Sequence, residues 1–157
     1  MMRASVFRMT LPKTILVPSD FGTGSDHALA YAVALAKALS AEIIVMHAYE
    51  IPMIGFPDGA VIATPDLASR VSDSAQLGLK KTIELHANAG VPIRTVLKQG
   101  PTWRTIVETA TDLGVGMIVM GTHGRHGLPR ALLGSVAEKV VRTATCPVLT
   151  VHSGDKA

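Results

Sequence analysis

The sequence predicts an α/β protein, a single-domain five-stranded parallel sheet with helices on both faces. Three observations carry this expectation. Five short apolar runs rich in β-branched residues alternate with stretches of helical periodicity. Several of those runs, such as Ile15–Val17 and Met117–Met120, are apolar throughout, as strands covered on both sides are. The length of 157 residues suits one full-sized core and leaves little room for a second.

The elements run in order along the chain. Lys13–Pro18 reads as the first strand, and Asp20, Gly22, Thr23 and Gly24 form the turn after it. A helix over 25–40 is predicted by Leu29, Val33, Ala36 and Leu39 at helical spacing, capped by Ser25 or a neighbour. Glu42–Tyr49 is the second strand. A Pro/Gly-rich connection over Ile51–Pro65 leads to a helix over 66–89, which carries Leu67, Val71, Leu79 and Ile83 and stops at Gly90. Whether that connection covers the ligand site is left open by the sequence.

Ile93–Lys98 is the third strand, and Pro101 opens the next helix where a missing N–H costs nothing. Ile106, Val107, Ala110 and Leu113 are expected to form its buried stripe, with Gly114 ending it. Gly116–Gly121 is the fourth strand. A helix over 133–144 is marked by apolar pairs at Leu132-Leu133, Val136-Ala137 and Val140-Val141. Pro147–His152 closes the set. In a sheet of this kind, right-handed crossovers join the strands, and a ligand sits beyond their carboxyl ends at the topological switch point. The ends of the first and fourth strands are therefore the places to search.

Composition narrows the function classes. Hydrophobic residues make up 48% and charged residues 17%, which excludes a disordered chain. The net charge of +3 comes from scattered Lys and Arg, without a basic tract or interleaved aromatics, so no nucleic acid partner is expected. Cys146 is the one cysteine, expected as a small core hydrophobe in a reducing compartment. Residues 1–10 lack a signal-peptide run, and Gly, Pro or charge interrupts every apolar stretch; a soluble, cytoplasmic protein with no membrane association is expected.

The fourth strand runs into Gly121-Thr122-His123-Gly124-Arg125, and Gly134-Ser135-Val136 comes next at a helix start, giving G-x2-G-x9-G-S. Glycines after a strand let backbone N–H groups approach phosphates, and a helix N-terminus offers free N–H groups and partial positive charge. The competing reading is that these glycines only make turns; as a spaced set ending in Ser, they favour phosphate. Other nucleotide and hydrolase signatures fail. His27 occupies the third glycine position of a dinucleotide fingerprint begun at Gly22, and neither G-x4-G-K-(S/T) nor G-x-S-x-G occurs.

On these residues the chain resembles the ATP-binding branch of the universal stress protein family. Ile15–Pro18 with Asp20, Glu42–Ala48 with His47, and Cys146–Leu149 look like that family's first, second and last strands. The resemblance spans 11–152 as one domain, with 1–10 and 153–157 as flexible termini. It implies a Rossmann-like fold of the adenine nucleotide alpha hydrolase type, and ATP with Mg²⁺ between the first and fourth strand ends. Pro18, Ser19 and Asp20 would then line the nucleoside side, with Ile43 meeting adenine through its backbone and Met120 and Gly121 near the ribose. The run Thr122, His123, Gly124, Arg125 with Gly134, Ser135 and Val136 would hold the phosphates. A homodimer through the last strand is implied too, and an apolar sheet edge invites such pairing.

Asp20 could also serve as an Asx-turn or helix cap. His123 and His126 lack acidic or Cys neighbours in sequence, so zinc is not expected; they and Arg125 and Arg130 could bond phosphate or belong to a solvated loop. His47 and His152 are expected to be structural, and His27 and His86 to lie on helix surfaces. No Asp, Glu or Lys lies between Gly121 and Ala137. That predicts a nucleotide-dependent regulatory protein that binds ATP and hydrolyses it slowly or not at all; the alternative is a slow nucleotide hydrolase or transferase.

Overall fold

The computed structural model describes residues 10–59, 61–62, 64–123 and 132–153. Strand β1 (Thr14–Pro18) leads to α1 (Thr23–Leu39) and β2 (Glu42–Tyr49). Strands β3 (Ile54–Gly55) and β4 (Val61–Ile62) then form a small antiparallel pair before α2 (Pro65–Leu85). The rest is β5 (Ile93–Gln99), α3 (Thr102–Asp112), β6 (Met117–Gly121), α4 (Ser135–Thr143) and β7 (Val148–Val151). Five strands make one parallel sheet in the order β5-β2-β1-β6-β7. The chain works outward from β1 through β2 to β5, then returns to the other side of β1 for β6 and β7. The switch point lies between β1 and β6, as the sequence predicts.

Successive side chains of a strand face opposite sides, so each strand supplies two cores. Ile15, Val17, Ile43, Val45 and Val119 pack with Ala28, Leu29, Ala32 and Ala36 of α1 and Leu79 of α2. Leu16, Ile44, Met46, Ile118 and Met120 pack with Ile106 and Ala110 of α3 and Ala137 and Val140 of α4. Two helices thus cover each face. Alanines along α1 let that helix lie close to β1, which fixes where its N-terminus meets the strand ends.

Several element ends differ from the sequence reading. The Ile51–Pro65 connection holds the β3–β4 pair, too short for a periodicity to reveal. Helix α2 ends at Leu85, not Ala89, because the His86 N–H turns back to Ile83 C=O at 3.1 Å. Leu113 is past the end of α3 and 40% exposed, so it does not join the buried stripe. Helix α4 starts at Ser135, which leaves Leu132 and Leu133 ahead of it and exposed, and Val141 faces outward. Ser25 does not cap α1: the cap is Gly22, and Ser25 is buried in the first turn. Cys146 is partly buried against the second core, and burial pushes its thiol pKa up.

Among the described residues no helix is long and apolar enough to cross a membrane.

Candidate functional site

A cleft of about 370 Å³ opens at the carboxyl ends of β1, β2 and β6. Parallel crossovers bring helix N-termini to this edge, and residues from the first turns of α1, α3 and α4 line the cleft beside the strand ends. Of the residues singled out from sequence, Pro18, Ser19, Asp20, Met120, Gly121, Thr122, His123, Gly134, Ser135 and Val136 line it. Gly124, Arg125, His126 and Arg130 lie outside the described residues.

The β1 wall is a hydrogen-bonded turn. Asp20 Oδ1 accepts from the Gly22 N–H and from the Ser25 hydroxyl, both at 2.9 Å. Ser19 Oγ accepts from the Phe21 N–H at 3.1 Å, and the Ser19 N–H donates to Met46 C=O at 2.8 Å. Asp20 therefore does form the Asx-turn, and the same side chain lines the cleft. It is the one carboxylate among the described lining residues.

The β6 wall is set by three close backbone approaches. A Cβ at Gly24 would lie 2.8 Å from the His123 carbonyl oxygen, and one at Gly121 would lie 3.0 Å from that of Gly24. A Cβ at Gly134 would lie 2.8 Å from the Thr122 carbonyl oxygen, which accepts the Gly134 N–H at 2.7 Å. The chain leaving β6 is wedged between the first turns of α1 and α4, so Gly121 and Gly134 each have a packing reason to be glycine. Packing alone does not account for the start of α4. The N–H groups of Ser135, Val136 and Ala137 have no acceptor within α4, and the N-cap residue, Gly134, has no side chain to cap them. All three residues line the cleft. N–H groups left over at a helix start and the positive end of the helix dipole suit this wall to an anion.

Behind it, Thr122 is buried, with Oγ1 2.9 Å from His123 Nδ1 and 3.3 Å from Nδ1 of the exposed His152. His27 is exposed on α1, and His86 Nδ1 sits 2.9 Å from Thr82 C=O at the end of α2. Among the described residues no group of three or more His, Cys, Asp or Glu side chains is placed to hold a metal ion.

Ile43 is the described residue of the sequence-predicted set which the structure does not bring to the cleft. It pairs with Ile15 and Ile93 near the start of β2, its N–H bonds Pro92 C=O at 2.9 Å, its side chain is fully buried, and it does not line the cleft. The cleft takes Met46, His47 and Ala48 from that strand instead. Ala48 is five residues along, about 16 Å away at the rise of a strand. Thr102 and Ile106 of α3, Ser25 of α1 and Ala137 of α4 also line the cleft without having been singled out. Position was the available signal: the carboxyl end of the second strand, and the first turns of helices that come after strands. His47, expected to be structural, has Nδ1 2.7 Å from Ser19 C=O, stacks on Phe21 and also faces the cleft.

The universal stress protein family profile matches residues 12–152. Universal stress protein MJ0531 of Methanocaldococcus jannaschii is 36% identical over 148 residues, covering 93% of this chain and 85% of that protein. The structure of MJ0577, a universal stress protein from the same organism, matches with a TM-score of 0.75 at 25% identity, over 92% of this chain and 98% of that one. A universal stress protein solved in complex with cAMP matches with a TM-score of 0.68 at 25% identity, over 92% of this chain and all of that one.

Proposed function

The chain belongs to the universal stress protein family, and from that premise we propose that it binds ATP in the cleft at the ends of β1, β2 and β6 as a nucleotide-dependent regulatory protein. The observation that carries this reading is that Ser135, Val136 and Ala137, the first three residues of α4, whose N–H groups have no acceptor within the helix, line the cleft. The cAMP complex of a structural relative supports an adenine nucleotide as the ligand class.

The polyphosphate lies on the α4 wall, and the nucleoside lies toward Pro18, Ser19, Asp20 and the end of β2. Ala48 replaces Ile43 as the backbone contact for adenine. The Ser19 N–H takes the Met46 carbonyl. Two residues on, Ala48 presents its own N–H and C=O in the same direction, beyond the last residue of β1. That is the pattern an adenine edge needs. Mg²⁺ binds chiefly through phosphate oxygens and waters with one or two carboxylates, which suits a cleft where Asp20 is the available acid.

Hydrolysis is slow or absent. Phosphoryl transfer asks for a carboxylate to hold metal or orient the nucleophile, together with fixed cations. Asp20 is the one acid on the described walls, and its Oδ1 already accepts two hydrogen bonds. The protein acts in the cytoplasm as a homodimer joined through β7, the last strand in the sheet order.

Titration calorimetry with ATP, ADP, AMP and cAMP in the presence of Mg²⁺ tests the reading. ATP binding is the expected result, and no heat from any adenine nucleotide at millimolar concentration would remove it. ATP turnover above about 1 s⁻¹, the low end for ordinary enzymes, would overturn the non-catalytic part. A monomer by light scattering at micromolar concentration would overturn the dimer.

A further inference from the structure

Phe21 is a non-glycine residue with φ of 61°, in the left-handed region that bulky side chains avoid. Such conformations persist where the surroundings over-determine them. Here the Phe21 N–H donates to Ser19 Oγ at 3.1 Å, and the ring stacks on His47 with centroids 4.4 Å apart. The tip of the ring enters a notch on α2. A Cβ at Gly78 would lie 2.6, 2.7 and 2.9 Å from three of its ring atoms.

That notch is where α2 is docked. Only Ala75 and Leu79 of its 21 residues are buried, and Gly78 shares their side of the helix. A second neighbour of the ring, His47, lines the cleft and bonds Ser19 C=O at 2.7 Å. Phe21 therefore touches the docking patch of α2 at one end and the turn bearing Ser19 and Asp20 at the other.

We propose that Phe21 is a positioning residue coupling α2 to the nucleotide cleft: its ring, seated against Gly78 and His47, holds the Ser19–Asp20 turn in the geometry that receives the ligand. The proposal rests on the nucleotide reading of the cleft. Phe21 itself does not line the cleft. Movement of α2 would alter ligand affinity, and ligand occupancy would tighten the docking of α2.

Gly78→Ala separates this role from a merely structural one, because helix propensity and the coupling predict opposite effects. Alanine favours a helix interior over glycine. Yet its Cβ must displace the Phe21 ring or α2. In titrations of the folded protein, confirmed by circular dichroism, G78A is expected to bind ATP about tenfold more weakly, within the range seen for residues acting through others. F21A is expected to lose a similar factor. The double variant F21A/G78A should then match F21A alone, since the added methyl no longer meets a ring. Amide exchange at Phe21 and Gly22 should also quicken in ligand-free G78A. Unaltered ATP affinity in G78A, additive losses in the double variant, or unaltered exchange would each overturn the proposal alone. Failure of the unaltered protein to bind ATP would overturn the nucleotide reading and the proposal with it.

Discussion

Ser135→Pro removes one donor from the anion wall while leaving α4 intact. Ser135 is the first residue of that helix, and its N–H has no partner in the helix, so proline removes no intrahelical hydrogen bond. The preceding residue suits it too: Gly134 has φ of −60° and ψ of 151°, the extended conformation proline imposes on its neighbour. Stability should be unchanged, or raised by roughly 0.4–1 kcal/mol through the unfolded chain. A hydrogen bond from a backbone N–H to a charged phosphate oxygen contributes about 1.5–3 kcal/mol, which corresponds to about a 10- to 150-fold loss of ATP affinity. Ser135→Ala is the control, since it removes the hydroxyl and keeps the N–H. Calorimetric Kd values for both variants, with thermal melts, give the comparison. Equal ATP affinity of S135P and S135A would refute the assignment of phosphate to the start of α4.

Gly134→Ala should destabilise the fold by about 1–3 kcal/mol in urea titrations, since its Cβ meets the Thr122 carbonyl oxygen while its backbone angles suit alanine. Leu16→Ala should cost about 2–5 kcal/mol, because Leu16 is fully buried in the core shared with α3 and α4. Cys146, its thiol pKa raised chiefly by burial, should react with iodoacetamide at pH 8 more slowly than free cysteine, and unfolding in urea should restore the rate.

The sheet was legible because each strand reports its own burial. Ile15–Val17 and Met117–Met120 are apolar at every position, and only a strand covered on both faces needs that. Right-handed crossovers leave the strand order open, and the observed order sets β1 beside β6 with the cleft at their carboxyl ends. Ile43 shows where this reasoning stopped. Sequence identifies a strand more readily than a position along it, and every residue of Ile43–Met46 is apolar and buried. Only the register, with Pro18 opposite Met46, fixes which residues of β2 extend past β1. The β3–β4 pair, at two residues a strand, is below the length at which alternation is a signal. Phe21 was illegible for a different reason. Its left-handed backbone is a local anomaly, and the glycine that accommodates its ring is 57 positions along the chain, inside a helix where glycine reads only as a weak helix former.

The glycines of the G-x2-G-x9-G-S pattern invite a reading in which each one makes room for phosphate. At the two described members the room is taken by protein: Gly121 accommodates the Gly24 carbonyl group and Gly134 that of Thr122. The two readings are nevertheless one mechanism acting in sequence. Close contact between Gly134 and Thr122 fixes the first turn of α4 against the exit of β6, with the Gly134 N–H spent on the Thr122 carbonyl. The next three residues, all lining the cleft, then have their N–H groups held in set positions. Donors held by backbone packing need little reorganisation when an anion arrives, so binding strength can come from the main chain. The same economy argues against turnover. N–H groups at a helix start stabilise a bound polyphosphate in its ground state, whereas rate requires groups that act more strongly on the transition state. Asp20 is the one acid on the described walls, with Oδ1 held by its own turn. On the proposed reading, a cleft built this way would retain its ligand and let its occupancy be felt by the elements around it.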